Sequence, residues 1–364
     1  MSQAPPAPRN SVPSRRWRFS LRGLLVLVLI SAVIFAGLGW RWRRAQRQAA
    51  IVEALRKTGV AHVIYDYEVH TSDEGDLGRV TIVPQWLRRV LGEDFFSDVH
   101  DVTIGPASRV ATQPPDGWKP PLGGRAVSES QCRRALRIAA SLTQIRSLYI
   151  QDAVVRQEAL EQLTCWEQLS DLRIDGCDVR DEDLAPLSRA VNVRSLHLHR
   201  QPIGDAALVH LRPMRKLNAL GLGLTDVTDK GLNELASFPD LEELWLFQTA
   251  VTDAGMPHVG RCPKLQFLEL SATSVGDEGA RYLAGLLNLS YLNLINSRVT
   301  DAGVAQLAPL TKLEQGLFGG TTVTQEGVNK VPSLVKSGSY LLGQPATPAS
   351  PQANAASPDR AGSP

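Results

Sequence analysis

Hydrophobic residues fall along this chain in a pattern that keeps returning. "VHDVTI", Val99 to Ile104, is apolar at its first, fourth and sixth positions. The same arrangement reappears at 145–150 as "IRSLYI", then as "LSDLRI" from 169, "VRSLHL" from 193, "LNALGL" from 217, "LEELWL" from 241, "LQFLEL" from 265, "LSYLNL" from 289 and "LEQGLF" from 313. Each of these starts 24 residues after the last, and of the 24 positions that must be apolar in the eight rows only Gly316 fails. Alternation of this kind predicts a short strand in every row. Further along the period the spacing changes: the eleventh position is always a β-branched apolar residue, from Val155 to Val323, and the sixteenth, nineteenth and twenty-second are apolar in nearly every row. Those last three are spaced as on a helix. Each unit is expected to be a strand, a turn and a short return helix.

Between the apolar columns the polar residues read as punctuation. "VTDAG" stands at 251–255 and again at 299–303, with "VTDKG" at 227–231. Thr228, Thr252, Thr300 and Thr324 sit where an N-cap hydroxyl accepts a backbone N–H, and Asp229, Asp253, Asp277 and Asp301 follow in the first turn, where the helix dipole favours acid. The glycine column Gly231, Gly255, Gly279, Gly303 and Gly327 marks a close approach of successive coils. One such unit cannot offset the entropy of ordering its own residues, so the units must stack, cover each other's faces and be capped at both ends. Trp86, Leu87, Phe95 and Phe96 are the candidate N-terminal cap, and "SGSYLLG" places Tyr340 and Leu342 in register as a degenerate ninth strand. Between Val99 and Ile145 the spacing grows to 46, because residues 105–127 insert a proline-rich loop, read as a surface excursion in preference to a second contact site.

The repeat resembles that of the leucine-rich-repeat family, whose polar ninth position is matched by Cys177, Thr225, Thr249, Thr273, Ser297 and Thr321. The resemblance implies an α/β solenoid with a curved parallel sheet over residues 99–342. Ala153 and Gln201 depart from the polar ladder and Gly316 from the apolar one, which predicts looser bonding in those turns. With its basic arm and apolar N-terminal run, the chain is also similar to membrane-anchored repeat proteins of planctomycete bacteria. That second resemblance implies architecture and location more than activity.

Gly23 to Trp40 holds eighteen residues without a charge. As a helix this run measures about 27 Å, enough to span a hydrocarbon core. Arginines flank one end, and Trp40, Arg41, Trp42, Arg43 and Arg44 the other. A cleaved signal peptide is the other reading, but the length of the run and its Trp/Arg ending favour a retained helix. Five basic residues before the run and six after it leave the positive-inside rule nearly tied, with a lean toward a body outside the cytoplasm. The organisation expected is a disordered basic arm (1–20), a transmembrane helix (21–40), a juxtamembrane helix and cap (41–98), the solenoid (99–342) and a disordered Pro/Ala/Ser-rich tail (343–364). Within 41–98, "VAHVIYDYEV" alternates as a strand does, and "PQWLRRVLGEDFF" reads as a short amphipathic helix.

Charge then narrows the partners. Residues 1–60 carry eleven Arg and Lys against Glu53, or +10, which leaves −8 of the total +2 for the rest. A body without basic surplus excludes nucleic acid. Cys132, Cys165, Cys177 and Cys262 form no C-x-x-C pair and show no disulfide or zinc spacing. No small-molecule substrate and no cofactor are expected, since no G-x-S-x-G, Walker loop or H-E-x-x-H is present.

In a stack of this kind the third, fifth and seventh positions face the concave side of the sheet. They bring Tyr149, Arg173, His197, His199, Trp245, Phe247, Phe267, Glu269 and Tyr291 to one surface, with aromatics on adjacent strands. That is the composition of a protein-binding hot spot. The expected activity is therefore non-enzymatic: a protein ligand on the concave face, and the lipid bilayer at residues 23–40. Two other readings stay open. His197, His199 and Asp175 could ligate zinc in a hydrolase, although Arg173 and Arg200 crowd them and no Glu base is evident. A substrate receptor of a degradation complex is the other, by analogy with similar repeat proteins.

Overall fold

The computed structural model describes residues 21–65, 99–106, 126–142 and 144–342. These fall into two compact units, one containing the chain as far as Ala49 and the other the repeats. The proposed cap at Trp86, Leu87, Phe95 and Phe96, the inserted loop beyond residue 106, the basic arm and the C-terminal tail lie outside the described residues.

Helix α1 runs from Leu21 to Arg56, 36 residues. It is longer than the expected membrane segment and passes without a break into the expected juxtamembrane helix. Among the described residues, however, no helix is long and apolar enough to cross a membrane. What α1 does present is exposed apolar surface, including Leu25, Leu29, Val33 and Phe35.

The second unit is the coil that the period predicts. Eleven strands pair in chain order, β1 (Ala61–Tyr65), β2 (Val99–Ile104), β3 (Ser147–Gln151), β4 (Asp171–Asp175), β5 (Ser195–His197), β6 (Ala219–Gly221), β7 (Glu243–Trp245), β8 (Phe267–Glu269), β9 (Tyr291–Asn293), β10 (Gln315–Phe318) and β11 (Ser339–Leu342). From β2 to β11 the pairing is parallel, and between repeats it sets equivalent residues side by side, Leu196 on Leu220 on Leu244. The eleventh column forms one dry row: Val227, Val251, Val275 and Val299 have no exposure, and Val323 at the end has 5%. Each return segment is a short α or 3-10 turn rather than a long helix, because only three apolar positions must be tucked under the sheet before the chain turns back.

Both ends are closed by means that differ from a repeat. At the start, β1 pairs antiparallel with β2. Val52 and Leu55 from the last turns of α1 join Val99, Val102 and Ile104 in the core, so α1 itself supplies part of the cap. At the other end β11 pairs parallel with β10, as the degenerate ninth row predicts, preceded by a helix over Pro332–Ser337. That helix also corrects the reading of Gly316. A Cβ there would stand 2.9 Å from Leu334 Cδ1 and 2.9 Å from Phe318 Cε2, so the space is filled from the end helix and from a larger sixth residue. The row is not loose.

The polar ninth-position column braces the turn of each coil. The hydroxyls of Thr225, Thr249, Thr273 and Thr321 each donate to the carbonyl three residues back, at 2.6–2.7 Å. Gln201, expected to weaken its turn, reaches instead to the carbonyls of Ile174 (3.0 Å) and His199 (3.1 Å), bridging two coils with one amide. One residue earlier, the chain takes left-handed φ values in every repeat from Asp152 to Gly320, and at Arg200, Leu224, Gln248, Ala272 and Asn296 it does so without glycine. A non-glycine residue there costs about 1 kcal/mol, and stacking offsets it.

The Thr–Asp pair does more than cap. Thr252, Thr300 and Thr324 accept the N–H two residues on at 3.2 Å, as N-caps. The aspartates, expected only to match the helix dipole, grip the following repeat. Asp229 accepts from Thr252 N–H at 2.8 Å and Thr252 Oγ1 at 2.6 Å, and Asp205, Asp277 and Asp301 hold Thr228, Thr300 and Thr324 in the same way. Where Thr is replaced by Gly276, Asp253 takes the N–H of Gly276 at 2.6 Å and of Gly279 at 3.0 Å. The glycine column makes room for this grip: a Cβ on Gly255 would lie 2.5 Å from Asp229 Oδ1 and 2.7 Å from Leu232 Cδ1.

The clamp is testable by a double-mutant cycle in denaturant. Gly255→Ala is expected to cost about 2 kcal/mol and Asp229→Ala about 1–2 kcal/mol. Since the carboxylate is one of the two atoms a methyl would strike, the pair should fall short of additivity by about 1 kcal/mol. Additive losses would mean that glycine and aspartate do not share the space.

Candidate functional site

The concave face is the side of the sheet opposite the leucine core, so a residue there is not needed to fill the coil. At its centre is a gap. The third, fifth and seventh positions of β6 and its extension are Ala219, Gly221 and Gly223, which leave the strand almost bare. Neighbouring side chains lean into that space. A Cβ on Gly221 would stand 2.5 Å from His197 Nδ1 and from His199 Cε1, while one on Gly223 would collide with the ring of Phe247.

Rings from strands that are not neighbours therefore meet. His197 on β5 and Trp245 on β7 have centroids 4.7 Å apart, and His199 and Phe247 are 5.2 Å apart. The row continues from Trp245 to Phe267 at 4.9 Å and from Phe267 to Tyr291 at 4.2 Å, the last pair stacked with an interplanar angle of 4°. Thus one sheet of rings runs from β5 to β9, half-buried by its own packing. Glu242 and Glu243 lie at its edge, and burial, with Glu242 beside it, pushes the Glu243 carboxyl up from its ordinary value.

The two histidines form a defined pair. His199 Nδ1 accepts the N–H of Gly223 at 3.0 Å, which places its proton on Nε2, and Nε2 lies 3.2 Å from His197 Nδ1. His199 therefore donates and His197 accepts, with both rings neutral. Burial, reinforced by Arg173, lowers His197 to about 3 and His199 to about 4. Asp175 is engaged elsewhere: Arg200 Nε donates to it at 2.7 Å and the Tyr149 hydroxyl at 3.4 Å. Three of the four ring nitrogens and the carboxylate thus have protein partners, and among the described residues no group of three His, Cys, Asp or Glu side chains could hold a metal ion. Of the three proposed zinc ligands, the two histidines serve one another and the backbone, and Asp175 serves Arg200 and Tyr149.

Toward β2 the face turns polar. Asp101, Ser147, Tyr149, Asp171, Arg173 and His197 line a hollow of about 310 Å³. Arg173 lies over the Tyr149 ring, 5.7 Å from its centroid. Burial and the Asp175 charge push the Tyr149 phenol up to about 12. Glu269, expected to be presented for binding, is instead buried and accepts from Asn293 Nδ2 at 2.7 Å and the Ser271 N–H at 2.9 Å. Of the nine expected residues, then, Trp245, Phe247, Phe267 and Tyr291 share a continuous accessible row, Tyr149 and Arg173 form a second group, His197 and His199 support the row from one end, and Glu269 braces the sheet. The residue pattern alone did not single out Gly221 and Gly223, whose signal was only a row lacking outward side chains.

Comparison with known proteins bears on the repeat. The family model for the Leucine Rich repeat matches residues 261–284. Among solved structures, an internalin (inlF) from Listeria monocytogenes is similar at 19% identity and a TM-score of 0.44, covering 56% of this chain and 62% of that one. An internalin C2 (inlC2) from the same organism is similar at 21% identity and a TM-score of 0.43, covering 55% and 76%. The chain thus spans less than two thirds of the first of these structures. No curated protein matches it in sequence.

The histidine pair predicts a pH dependence of definite sign. Each ring stays neutral in the fold well below its ordinary 6.5, whereas the unfolded chain takes up protons there. Stability should therefore be level above about pH 6.5 and fall on acidification toward pH 4. The pair's share of the loss between pH 7 and pH 5 is on the order of 3 kcal/mol. His197→Gln with His199→Gln should flatten that slope, followed by denaturation at each pH. Imidazole NMR signals titrating near 6.5 in the native chain would contradict the pairing.

Proposed function

We propose, from the premise that this is a leucine-rich-repeat protein, that the chain is a membrane-tethered, non-enzymatic interaction module that holds a protein ligand on its concave face. The observation that carries this reading is the unbroken row His197–Trp245–Phe267–Tyr291, with Phe247 beside it. The core closes on the other side of the sheet, so these rings have no packing duty toward it. Rigid aromatics bury large area at small entropic cost, and Glu243 and Arg173 at the margins supply the polar rim that protein interfaces have. Repeat solenoids offer such concave surfaces as a consequence of their curvature.

The ligand would be met at a bilayer. Supporting the tether are the exposed apolar side chains of α1 from Leu25 to Phe35, the eighteen uncharged residues 23–40, and the Trp40–Arg44 contact at 5.6 Å, a pairing suited to the headgroup level. The repeats would lie outside the cytoplasm.

Two experiments test these parts separately. A photoreactive residue at position 245 should cross-link a discrete protein in native membranes, while one at Lys230, on the return side, should not. Equal and diffuse labelling from both would remove the concave site. Carbonate washing should leave the full chain in the membrane pellet and release a chain lacking residues 23–40; equal release of both would remove the tether.

A further inference from the structure

The concave face carries a charge imbalance. Its third, fifth and seventh positions from β2 to β9 hold five acids, Asp101, Asp171, Asp175, Glu243 and Glu269, and one base, Arg173. Arg200 neutralises Asp175 from the turn beyond β5, and Asn293 holds Glu269. Among the described residues no cation forms an ion pair with Asp101, Asp171 or Glu243.

Two of these unpaired carboxylates border the hollow of about 310 Å³. Sheet register sets Asp101, Ser147 and Asp171 side by side on β2, β3 and β4, so one small hydroxyl residue separates the two acids. Burial pushes the Asp101 carboxyl up from its ordinary value, against the pull of His100 and Ser147, and the charge of Asp171 adds to the rise. A cation seated over Ser147 would relieve both acids at once. The next row along the strands supplies the opposite chemistry. Arg173 lies over the Tyr149 ring, and His197, only 8% exposed, spends its Nδ1 on His199. The His197 proton therefore stands on Nε2, and no described residue accepts it. Carboxylates on one side and N–H donors on the other fit a single residue of a peptide chain, with a cationic side chain and its own backbone carbonyl.

We propose that the hollow is the specificity pocket for a basic residue of the protein ligand, Asp101 and Asp171 taking its cationic head and Arg173 and His197 Nε2–H its backbone carbonyl. This rests on the concave face being a protein-binding surface and states what that surface selects. His197 belongs to both regions: it lines the hollow, and its ring lies 4.7 Å from that of Trp245. From Ser147 to His197 is two strands, about 9.6 Å, so a basic residue over Ser147 has Trp245 within reach of a side chain about four extended residues along the same ligand. The ligand is thus a segment that pairs one cation with a nearby apolar residue.

The test uses the full chain in detergent micelles with ring-labelled tyrosine and tryptophan, the NMR signals of Tyr149 and Trp245 being assigned from Tyr149→Phe and Trp245→Phe. The probe is the peptide acetyl-Gly-Arg-Gly-Gly-Gly-Phe-Gly-amide. Its control has citrulline in place of arginine, the same shape without the charge. The arginine peptide should shift both signals and bind about tenfold more tightly than the control. Asp101→Asn with Asp171→Asn should erase that preference and leave the affinity for the citrulline peptide unchanged. Ser147→Lys, which brings an ammonium between the two carboxylates from within, should erase it too. Equal binding of the two peptides overturns the proposal. So does a Tyr149 shift produced by calcium chloride and not by the arginine peptide, which would make the hollow an ion site. If the peptides bind equally and both shift Trp245, only the pocket falls and the aromatic row stands; if neither shifts Trp245 and position 245 cross-links no protein, the concave reading falls with it.

Discussion

Everything in this molecule depends on like residues stacking on like at the distance between hydrogen-bonded strands. Because the period is constant, Leu196, Leu220 and Leu244 form a continuous row, and so do the eleventh-position valines beneath them. No coil buries its own apolar face; each is covered by its neighbours. The aspartate grip has the same logic, since the carboxylate of one coil finds its donors 23 residues later. Register and cohesion are thus one property, and the ends must be sealed by different chemistry, an antiparallel strand and α1 at one end and the Pro332 helix at the other.

This division of labour frees the opposite face. With the core closed on one side of the sheet, side chains on the other side answer to each other alone. Two glycines on one strand let rings 48 residues apart in sequence touch, and the histidines that lean into the gap lose their protons to burial and lock together. An arrangement that looks from its residue types like a metal site becomes a neutral, apolar support for an aromatic surface.

The coil was legible in the sequence because it repeats: eight rows in register leave little freedom of interpretation, and the strands, the dry valine column and the ninth-position ladder all come from columns. What repeats chemically but acts across coils was only half legible. Thr252 and Asp229 each look like local helix-start residues, and nothing in "VTDAG" says that the aspartate's partner belongs to the next unit. Departures from the columns were misread because a gap in one row is filled from another, as Leu334 fills Gly316 and Gln201 spans two carbonyls. The left-handed column escaped notice because Leu224, Gln248 and Ala272 share no chemistry, and the bare strand because missing side chains form no motif. The apolar run at 23–40 was plain in the sequence and lies on a helix, yet its crossing of a bilayer is a property of the medium as much as of the chain.

The contact between His197 and Trp245 tests the account most directly, since it needs correct coil register, the glycine gap and a neutral imidazole all at once. Selective labelling of these rings in the full chain would let nuclear Overhauser effects between them be measured beside those of the Leu220–Leu244 methyl pair. Both should be observed. Methyl contacts without the ring contact would keep the coil and contradict the continuous aromatic surface on which the functional reading stands.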